Sequence, residues 1–364
     1  MSRARTFADL ATASEAGDLG KRNMIINGNM EVAQRSTSVA VTASGYHTVD
    51  RFNIGLNGSG RFTMSQESIT DLEGFGKALK LDCTTADTSV ASTELLTLNQ
   101  KFEGQFIQKM QKGFSNAKAT TLSFYVKGNA SATYAVELSD TDNSSRHISK
   151  TFSVTTSWNR VSLTFPGDTT GKITADNSRS LDMNIWLHAG SGYNSGSIQD
   201  SWGALNQAGR ATGISSFFDS TDREFFITGV QFELGEVATP FEHETFGDNL
   251  QRCQRYFYKY ISNHDYGPLG ANGMQINTNA SSGVMYQGQH PMMMRTGPTM
   301  AVGGSWNAEV ATGNGSFSLA GSVRTSNLFW QSQEAIGDGG ANGYAAIVYG
   351  SGDDDAFLSG SAEI

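Results

Sequence analysis

Paired carboxylates are the side chains in this 364-residue sequence that could cut a polysaccharide. Glycoside hydrolases hold two carboxyl groups roughly 5–10 Å apart across the scissile bond. No spacing singles out such a pair among the candidate carboxylates, which include Glu31, Asp50, Glu137, Asp140, Asp142, Asp182, Glu224 and Glu233. The sequence therefore predicts a protein that is not an enzyme, and a polysaccharide depolymerase is the least favoured of three functional hypotheses.

Metal-dependent and nucleophilic chemistry is disfavoured in the same way. The histidines share no spacing that would build a metal cluster or a proton relay; they are His47, His147, His188, His243, His264 and His290. Cys83 and Cys253 lie far apart without a Cys or His neighbour at metal-ligand spacing, so both are predicted to be buried free thiols. The sequence contains no GxSxG, P-loop or Cys–His motif that would indicate a nucleophile or a nucleotide site.

Exposed aromatic rings beside amides and hydroxyls are the residues that could recognise sugars, because a pyranose offers C–H groups on one face and hydroxyls at its edge. Tyr193 and Trp202 lie in a long loop rich in Gly, Ser, Asn and Gln, and they are predicted glycan contacts. Packing of the loop or a subunit interface is the alternative for both rings. Tyr344 and Tyr349, near the acidic run Asp353–Asp355, are further candidates, with a solvated turn as the alternative.

Composition and charge exclude several classes of partner. The formal net charge is −9 and the pI is near 5.2, which disfavours nucleic acid and anionic membranes. No stretch approaches the ~20 apolar residues of a membrane-spanning helix. Residues 1–21 lack the continuous apolar core of a signal peptide, so we expect synthesis and folding in the cytosol of the cell that makes the protein.

The elements that must position these residues are predicted to be short β-strands. Alternating or β-branched and aromatic segments are separated by Gly, Asn, Asp and Ser, as in "TLSFYVKG", "TYAVELSD", "RVSLTFPG", "LDMNIWLHAG" and "EFFITGVQFEL". This pattern predicts an all-β chain with a jelly-roll β-sandwich over residues 22–245. In the last segment the Thr228–Gly229 step interrupts the alternation, which predicts a β-bulge or a strand that is buried on both faces.

The remaining parts of the chain are shorter. Residues 1–21 are predicted to be an attachment segment that orders on binding. A linking helix is predicted over 246–260, where Asp248 or Asn249 can cap the helix and Leu250, Cys253 and Phe257 share one face. Residues 261–364 are glycine-rich and short-stranded, and they predict a smaller C-terminal β domain.

Several segments, in order along most of the chain, resemble phage and prophage tail-fibre proteins. They are "KRNMIINGNMEVAQRST", "DRFNI", "SWNRVSLTF", "FFITGVQFELGEVATPFEHETFGDNLQRCQRYFYKY", "HPMMMRTGPTM" and "FLSGSAEI". The resemblance implies a jelly roll similar to carbohydrate-binding modules in a virion structural protein, most often a homotrimer attached to the tail near its N-terminus. The chain departs from long fibres in showing no repetitive or coiled-coil shaft, which fits a short appendage or a decoration equally well.

Two further sets of residues have predicted structural roles. Glu233, an acidic residue among apolar neighbours, is expected to be satisfied by backbone N–H groups or an arginine, or to bind a structural calcium ion with Glu31 as in similar jelly-roll modules. No other cofactor is expected. Arg252, Arg255, Tyr256 and Tyr258 are predicted to form the joint between the two domains and between the subunits of a trimer.

The sequence thus predicts an adhesion protein of the phage tail that binds a host cell-surface polysaccharide. Its partners would be two further copies of itself and, through residues 1–21, a tail or adaptor protein; neither nucleic acid nor membrane insertion is expected. A purely architectural tail or capsid decoration without a host ligand is the alternative from a different functional class.

Overall fold

The computed structural model describes residues 21–261, 284–304, 306–310, 313–317, 324–334, 346–350 and 356–364. The chain divides into two compact units, with the boundary between Phe246 and Gly247. Among the described residues, no helix is long and apolar enough to cross a membrane.

The first unit is a β-sandwich of two six-stranded antiparallel sheets, as the sequence predicts. Sheet one has the strand order β1-β4-β5-β12-β7-β10, with bounds Ser38–Val41, Arg61–Ser68, Lys77–Thr85, Glu224–Leu234, Thr120–Gly128 and Asn159–Phe165. Sheet two has the order β2-β3-β6-β11-β8-β9, with bounds Gly45–Tyr46, Asn53–Asn57, Leu95–Glu103, Arg179–Ala189, Ala132–Asp140 and Arg146–Val154. Successive strands alternate between the sheets in several places, which gives the jelly-roll arrangement.

Alternation of side chains places one face of each strand in a core between the two sheets. In β10, Val161 and Phe165 are buried and Arg160 and Ser162 are exposed. The core contains many aromatic rings, including the edge-to-face pair Phe62–Phe217, whose centroids are 6.1 Å apart. Because full burial of a large apolar side chain contributes about 1.5–3 kcal/mol, this core supplies the main stabilising term of the unit.

Strand β12 contains the predicted irregularity. Its pairing with β7 shifts register between Thr228 and Gln231, and Gly229 has a positive φ of 61°. A side chain on Gly229 would approach the rings of Phe75 and Tyr125 within 3 Å. The structure therefore confirms a bulge at this glycine.

A segment before β1 runs beside β12 and closes the sandwich. The Met24 amide donates to the Phe232 carbonyl at 2.8 Å, and the Val230 amide donates to the Gly28 carbonyl at 2.9 Å. A Cβ atom on Gly28 would lie 2.1 Å from the Val230 carbonyl oxygen, so a residue without a side chain is required here. The segment thus pairs with the part of β12 that β5 does not reach, since β5 pairs only with residues 224–227, and it does so without regular strand geometry.

The second unit, Gly247–Glu363, shows three short antiparallel sheets among its described residues. The first has the order β13-β21-β15, with bounds Phe257–Ile261, Phe357–Ser361 and Thr299–Gly303. The second has the order β14-β19-β18, with bounds Val284–Gln289, Phe329–Glu334 and Arg324–Thr325. The third has the order β17-β16-β20, with bounds Gly313–Phe317, Trp306–Val310 and Ala346–Gly350.

The predicted linking helix is shorter than expected. One short helix, α1, spans Ser191–Asn194 in the first unit, and the helix after the sandwich, α2, spans Phe246–Gln254. The prediction of helix as far as residue 260 is wrong, because residues 257–261 form β13 and pair with the last strand of the chain, β21. The aromatic run Phe257–Tyr260 favours a strand once a partner is present. Cys253 is buried in α2 as predicted, whereas Phe257 is buried as a strand residue.

Candidate functional site

The outer face of sheet two is unusually polar, and its strands bring polar side chains into one row. Residues in successive cross-strand register on this face are Tyr46, Asn53, Asn99, Asn184, Glu137 and Ser149. Their neighbours in sequence point into the sandwich, as Leu98, Ile185 and Val136 do in the three central strands. The row therefore runs across the whole sheet at a right angle to the strands.

The middle of this row consists of two buried carboxamide side chains. Asn99 is 6% exposed and Asn184 is 8% exposed. The Asn184 Nδ2 atom donates to Glu137 Oε2 at 3.2 Å. The Oδ1 atom of Asn99 has no hydrogen-bond partner among the described residues, and such a buried unpaired acceptor costs about 1–3 kcal/mol.

An aromatic ring flanked by two cations lies at the edge of the same face. Tyr46 is half-buried in the edge strand β2, and the Arg35 guanidinium and the Lys101 ammonium lie 5.2 and 5.8 Å from its ring centroid. Lys101 pairs in register with Asp182, whose Oδ1 atom accepts a hydrogen bond from Arg179 Nε at 2.7 Å. This half of the face combines an aromatic ring, carboxamides and charged groups.

The other half of the face is covered by residues 190–216, which we call the covering segment. Its backbone continues the sheet beyond β9, since the Ser149 amide donates to Gln199 at 2.7 Å and the His147 amide donates to Gly203 at 3.0 Å. The Asn206 amide donates to His147 Nε2 at 3.1 Å. His147 Nε2 is therefore the acceptor nitrogen, and Nδ1 carries the hydrogen toward Glu137, 3.2 Å away.

Glu137 joins the covering segment to the sheet. Arg210 donates to both of its carboxylate oxygens, from Nε at 2.7 Å and from an Nη atom at 2.9 Å, and Trp186 Nε1 donates at 2.9 Å. Burial by itself would raise the pKa of Glu137, but the hydrogen bond from His147 and the charge of Arg210 lower it to about 2. The carboxylate is thus ionised and fully engaged in holding the segment, which leaves it no role as an acid or base.

Both aromatic residues predicted from the loop lie in the covering segment and pack it. The Tyr193 ring lies 5.2 Å from Trp186 and 5.9 Å from the Arg210 guanidinium. Trp202 Nε1 donates to the Pro166 carbonyl at 2.8 Å, and the Lys112 ammonium lies 5.3 Å from the Trp202 ring. Glycan contact by either ring stays a prediction, but the structure shows that each has a packing role.

Lys112 itself is enclosed by oxygen atoms. Its ammonium contacts the carboxylates of Asp140 and Asp168, the latter at 3.0 Å, and the carbonyls of Thr170 and Gly171 at 2.9 and 3.1 Å. Burial would raise the pKa of Asp168, but hydrogen bonds from Arg146 and Lys112 lower it. This cluster ties three loops together next to Trp202 and has no free ligand position.

The other predicted site residues are not brought together. Tyr344 lies outside the described residues, and Tyr349 lies in β20 opposite Asn307, with only its backbone described. Glu233 is satisfied locally, since Oε1 accepts from Gln231 Nε2 at 2.8 Å and from the Thr239 amide at 2.9 Å.

Glu31 is the second residue of the expected calcium site. The backbone carbonyl of Glu31 accepts a hydrogen bond from Gln66 at 2.9 Å. Within the described part of the chain, no group of three or more His, Cys, Asp or Glu side chains could hold a metal ion. Calcium binding by Glu31 and Glu233 stays a prediction.

The residues of the predicted joint lie at the start of the second unit. Tyr258 is buried there with Met294 and Ala362, and its hydroxyl is 2.9 Å from His290 Nδ1. The Arg255 carbonyl accepts the Arg295 amide at 2.9 Å, and the Tyr256 carbonyl accepts the Ala362 amide at 2.7 Å. Tyr256 and Tyr258 are thus core residues of this unit, while the part of Arg252 and Arg255 in a trimer stays a prediction.

Sequence reasoning did not select Tyr46, Asn99, Asn184 or Arg210. The sequence offers little signal for them, because Asn99 in "LLTLNQKFE" and Asn184 in "LDMNIWLHA" are polar residues at outward positions, which is the ordinary alternation of a strand with one buried face. The register that aligns them comes from strands 40 or more residues apart.

No protein-family model matches this chain, and no curated protein matches it. Among solved structures, a CBM4 module is 11% identical at a TM-score of 0.30 over 57% of this chain and 98% of its own. The C-terminal family 22 carbohydrate-binding module of Clostridium thermocellum Xyn10B is 10% identical at 0.31 over 60% of this chain and 99% of its own.

A third similar structure is the enzymatically active domain of tailspike protein 4 from bacteriophage CBA120. It is 10% identical at a TM-score of 0.31, over 59% of this chain and 22% of its own. Values this low transfer no residue roles to the present chain.

Proposed function

We propose that this protein binds glycan on the outer face of sheet two and serves as a non-enzymatic adhesion protein. The observation that carries the proposal is the row of Tyr46, Asn53, Asn99 and Asn184, in which carboxamides lie in register beside an aromatic ring. Asn99 supplies a buried acceptor without a partner among the described residues.

The chemistry of this row fits a neutral sugar chain. Carboxamides both donate and accept hydrogen bonds, so they can match the hydroxyls at the edge of a pyranose. The Tyr46 ring supplies aromatic surface for the C–H groups of a sugar, beside the Arg35 guanidinium and the Lys101 ammonium that lie over it. Because the strands are rigid, little ordering entropy is lost when a ligand binds.

The biological setting we propose is a virion appendage of a phage tail. It is supported by the resemblance of segments across the chain to tail-fibre proteins and by the glycine-rich, acidic composition. In a homotrimer attached through residues 1–21, weak contacts would be multiplied by about 10²–10⁴ through avidity.

The experiment is a glycan array of bacterial surface polysaccharides, followed by calorimetry with the glycan that binds best. Asn99→Ala and Tyr46→Ala should each weaken binding at least about tenfold, the cost of one or two hydrogen bonds or a ring contact. The matched control is Trp158→Ala, because Trp158 is an aromatic ring on the outer face of sheet one with Lys127 5.1 Å from its centroid.

Three outcomes would count against the proposal. Equal losses of glycan affinity in Trp158→Ala and in the two site variants would show that sheet two has no specific role in binding. Absence of binding to every glycan and to host cells would favour an architectural component, and release of reducing sugars would favour a depolymerase. Light scattering at the mass of one chain, 39.0 kDa, would refute the trimer but leave the binding face intact.

A further inference from the structure

The polar row on sheet two is accessible at one end and covered at the other. Tyr46 and Asn53 are partly exposed, whereas Glu137 and Ser149, the last two positions of the row, are 0% exposed. Asn184 lies between these two groups and keeps 8% of its surface exposed. The part of the row that a ligand can reach therefore ends at Asn184, on the last strand before the covered ones.

A wall of side chains closes the covered end. Arg210 lies over Glu137 and donates to both of its carboxylate oxygens, and its guanidinium is 4.9 Å from the ring centroid of Trp186. Tyr193 packs against Trp186, with centroids 5.2 Å apart. A glycan that follows the row across the sheet meets this wall directly after Asn184.

The two ends of the accessible part carry polar atoms that the chain itself leaves unused. Asn184 donates its Nδ2 hydrogen to Glu137 Oε2 at 3.2 Å, and its Oδ1 atom accepts no hydrogen bond among the described residues. The carboxamide of Asn53 makes no hydrogen bond within the described part of the chain. Both amides can therefore exchange hydrogen bonds with sugar hydroxyls.

The neighbouring rows favour a ligand that runs across the strands. On one side Gly55 pairs in register with Thr97, and these small residues leave the surface low. On the other side Lys101 pairs with Asp182, which accepts a hydrogen bond from Arg179 Nε at 2.7 Å. The row thus lies along the foot of a ridge of longer, charged side chains.

The accessible part of the row limits how much of a chain it can bind. Its four positions, Tyr46, Asn53, Asn99 and Asn184, span three strand spacings, which is about 14 Å at about 4.8 Å each. A pyranose ring in a glycan is about as long as one strand spacing, so the row holds about four rings.

We propose that this face binds the end of a neutral glycan chain, with the terminal ring beside Asn184 and against the Arg210 wall, and with the following rings extending toward Tyr46. This inference rests on the proposed glycan binding by sheet two. It adds that a chain end is recognised and not the interior of a polysaccharide.

The test is calorimetry on the full chain with oligosaccharides of two, four and six rings, prepared by partial hydrolysis of the neutral polysaccharide that the glycan array selects. Affinity should rise from two rings to four and change by less than about twofold from four to six, because further rings lie beyond the row. Two capped forms of the four-ring ligand carry a bulky aromatic glycoside at the reducing end or a benzylidene acetal on the ring at the other end. One cap should abolish binding and the other should be tolerated, since only the terminal ring meets the wall.

Two variants locate the ligand along the row. Asn184→Ala should weaken the two-ring and the four-ring ligand by the same factor, about fivefold for one lost hydrogen bond. Tyr46→Ala should weaken only the four-ring ligand, because two rings that lie against the wall do not reach β2. Thermal unfolding of each variant confirms that it is folded at the temperature of the titrations.

The proposal is overturned if both capped forms bind like the uncapped ligand, or if affinity still rises tenfold from four rings to six. It is also overturned if Tyr46→Ala weakens the two-ring ligand while Asn184→Ala leaves it unchanged. Each of these outcomes keeps glycan binding by sheet two intact, whereas absence of binding at every length refutes glycan binding itself.

Discussion

Sheet two carries two buried glutamate–histidine pairs that differ in how completely they are hydrogen-bonded. Glu137 faces His147 at 3.2 Å and also receives hydrogen bonds from Arg210, Trp186 and Asn184. Glu94 faces His188 at 3.7 Å, and the facing oxygen and nitrogen are both unpaired among the described residues. The Glu137 carboxylate has a structural role, because Arg210, Trp186 and Asn184 of the chain itself donate to it.

An incomplete pair carries a cost that a ligand can recover. Burying a polar group without a partner is unfavourable by about 1–3 kcal/mol, a cost that a bound water molecule also removes. The contrast thus separates the carboxylate that holds the covering segment from the carboxylate beside His188, although both pairs use the same residue types. Three measurements test this difference between the two glutamate–histidine pairs.

The largest loss in the free energy of unfolding is expected for Glu137→Gln. The change leaves the Arg210 guanidinium without its counter-charge in a buried site, which typically costs about 3–5 kcal/mol. Urea denaturation should show this loss, and hydrogen exchange should rise across the covering segment. The matched control is Glu236→Gln at an exposed position, which should change the free energy of unfolding by less than about 0.5 kcal/mol. Similar stability of the two variants would contradict the structural role of Glu137.

Acid should remove the same stabilisation in the wild-type protein. The pKa of Glu137 is about 2 in the folded state against an ordinary value of 4.5, so its contribution is complete above pH 4.5 and is lost as the pH falls toward 2. This difference corresponds to about 3 kcal/mol, at about 1.4 kcal/mol per pH unit. The stability gap between wild type and Glu137→Gln should therefore narrow over that range in urea titrations. A gap that stays constant from pH 5 to pH 2.5 would show that the charge of Glu137 is not what stabilises the segment.

The smallest change in the free energy of unfolding is expected for Glu94→Gln. Its facing oxygen makes no hydrogen bond among the described residues, so exchanging it for an amide should alter the free energy of unfolding by less than about 1 kcal/mol. The same urea measurement applies, in the absence of sugar. A loss as large as that of Glu137→Gln would mean that Glu94 is part of the structural network and would remove the contrast between the two pairs.

Most of the sandwich could be predicted from sequence because its strands are long and locally consistent. The segment "EFFITGVQFEL" is β12 with the predicted bulge, and Val161 and Phe165 point inward as the alternation of β10 requires. Cys83 and Cys253 are buried thiols, also as expected, and burial raises the pKa of Cys83 to about 11. In each of these cases the signal lies within about ten residues of chain.

Less of the candidate site could be predicted from the sequence. Tyr193 and Trp202 are identifiable as aromatic residues in a polar loop, but no local pattern shows that Trp186 and Pro166 already engage them. The end of the linking helix was misplaced for a related reason. Strand β13 depends on pairing with β21, almost 100 residues later, and such a partner cannot be read from the aromatic run alone.

The sequence by itself determined the all-β class, the positions of the long strands of the sandwich and the absence of recognisable catalytic motifs, because alternation, turn residues and motif spacing act over short distances. Only the tertiary structure decided which polar residues meet. Tyr46, Asn99 and Asn184 come from three separate strands, and Glu94 and His188 are 94 positions apart in the chain, within a register set by the packing of the whole core. Burial then determined their chemistry, since donors surround the carboxylate of Glu137, whereas the Oε2 atom of Glu94 meets no donor among the described residues.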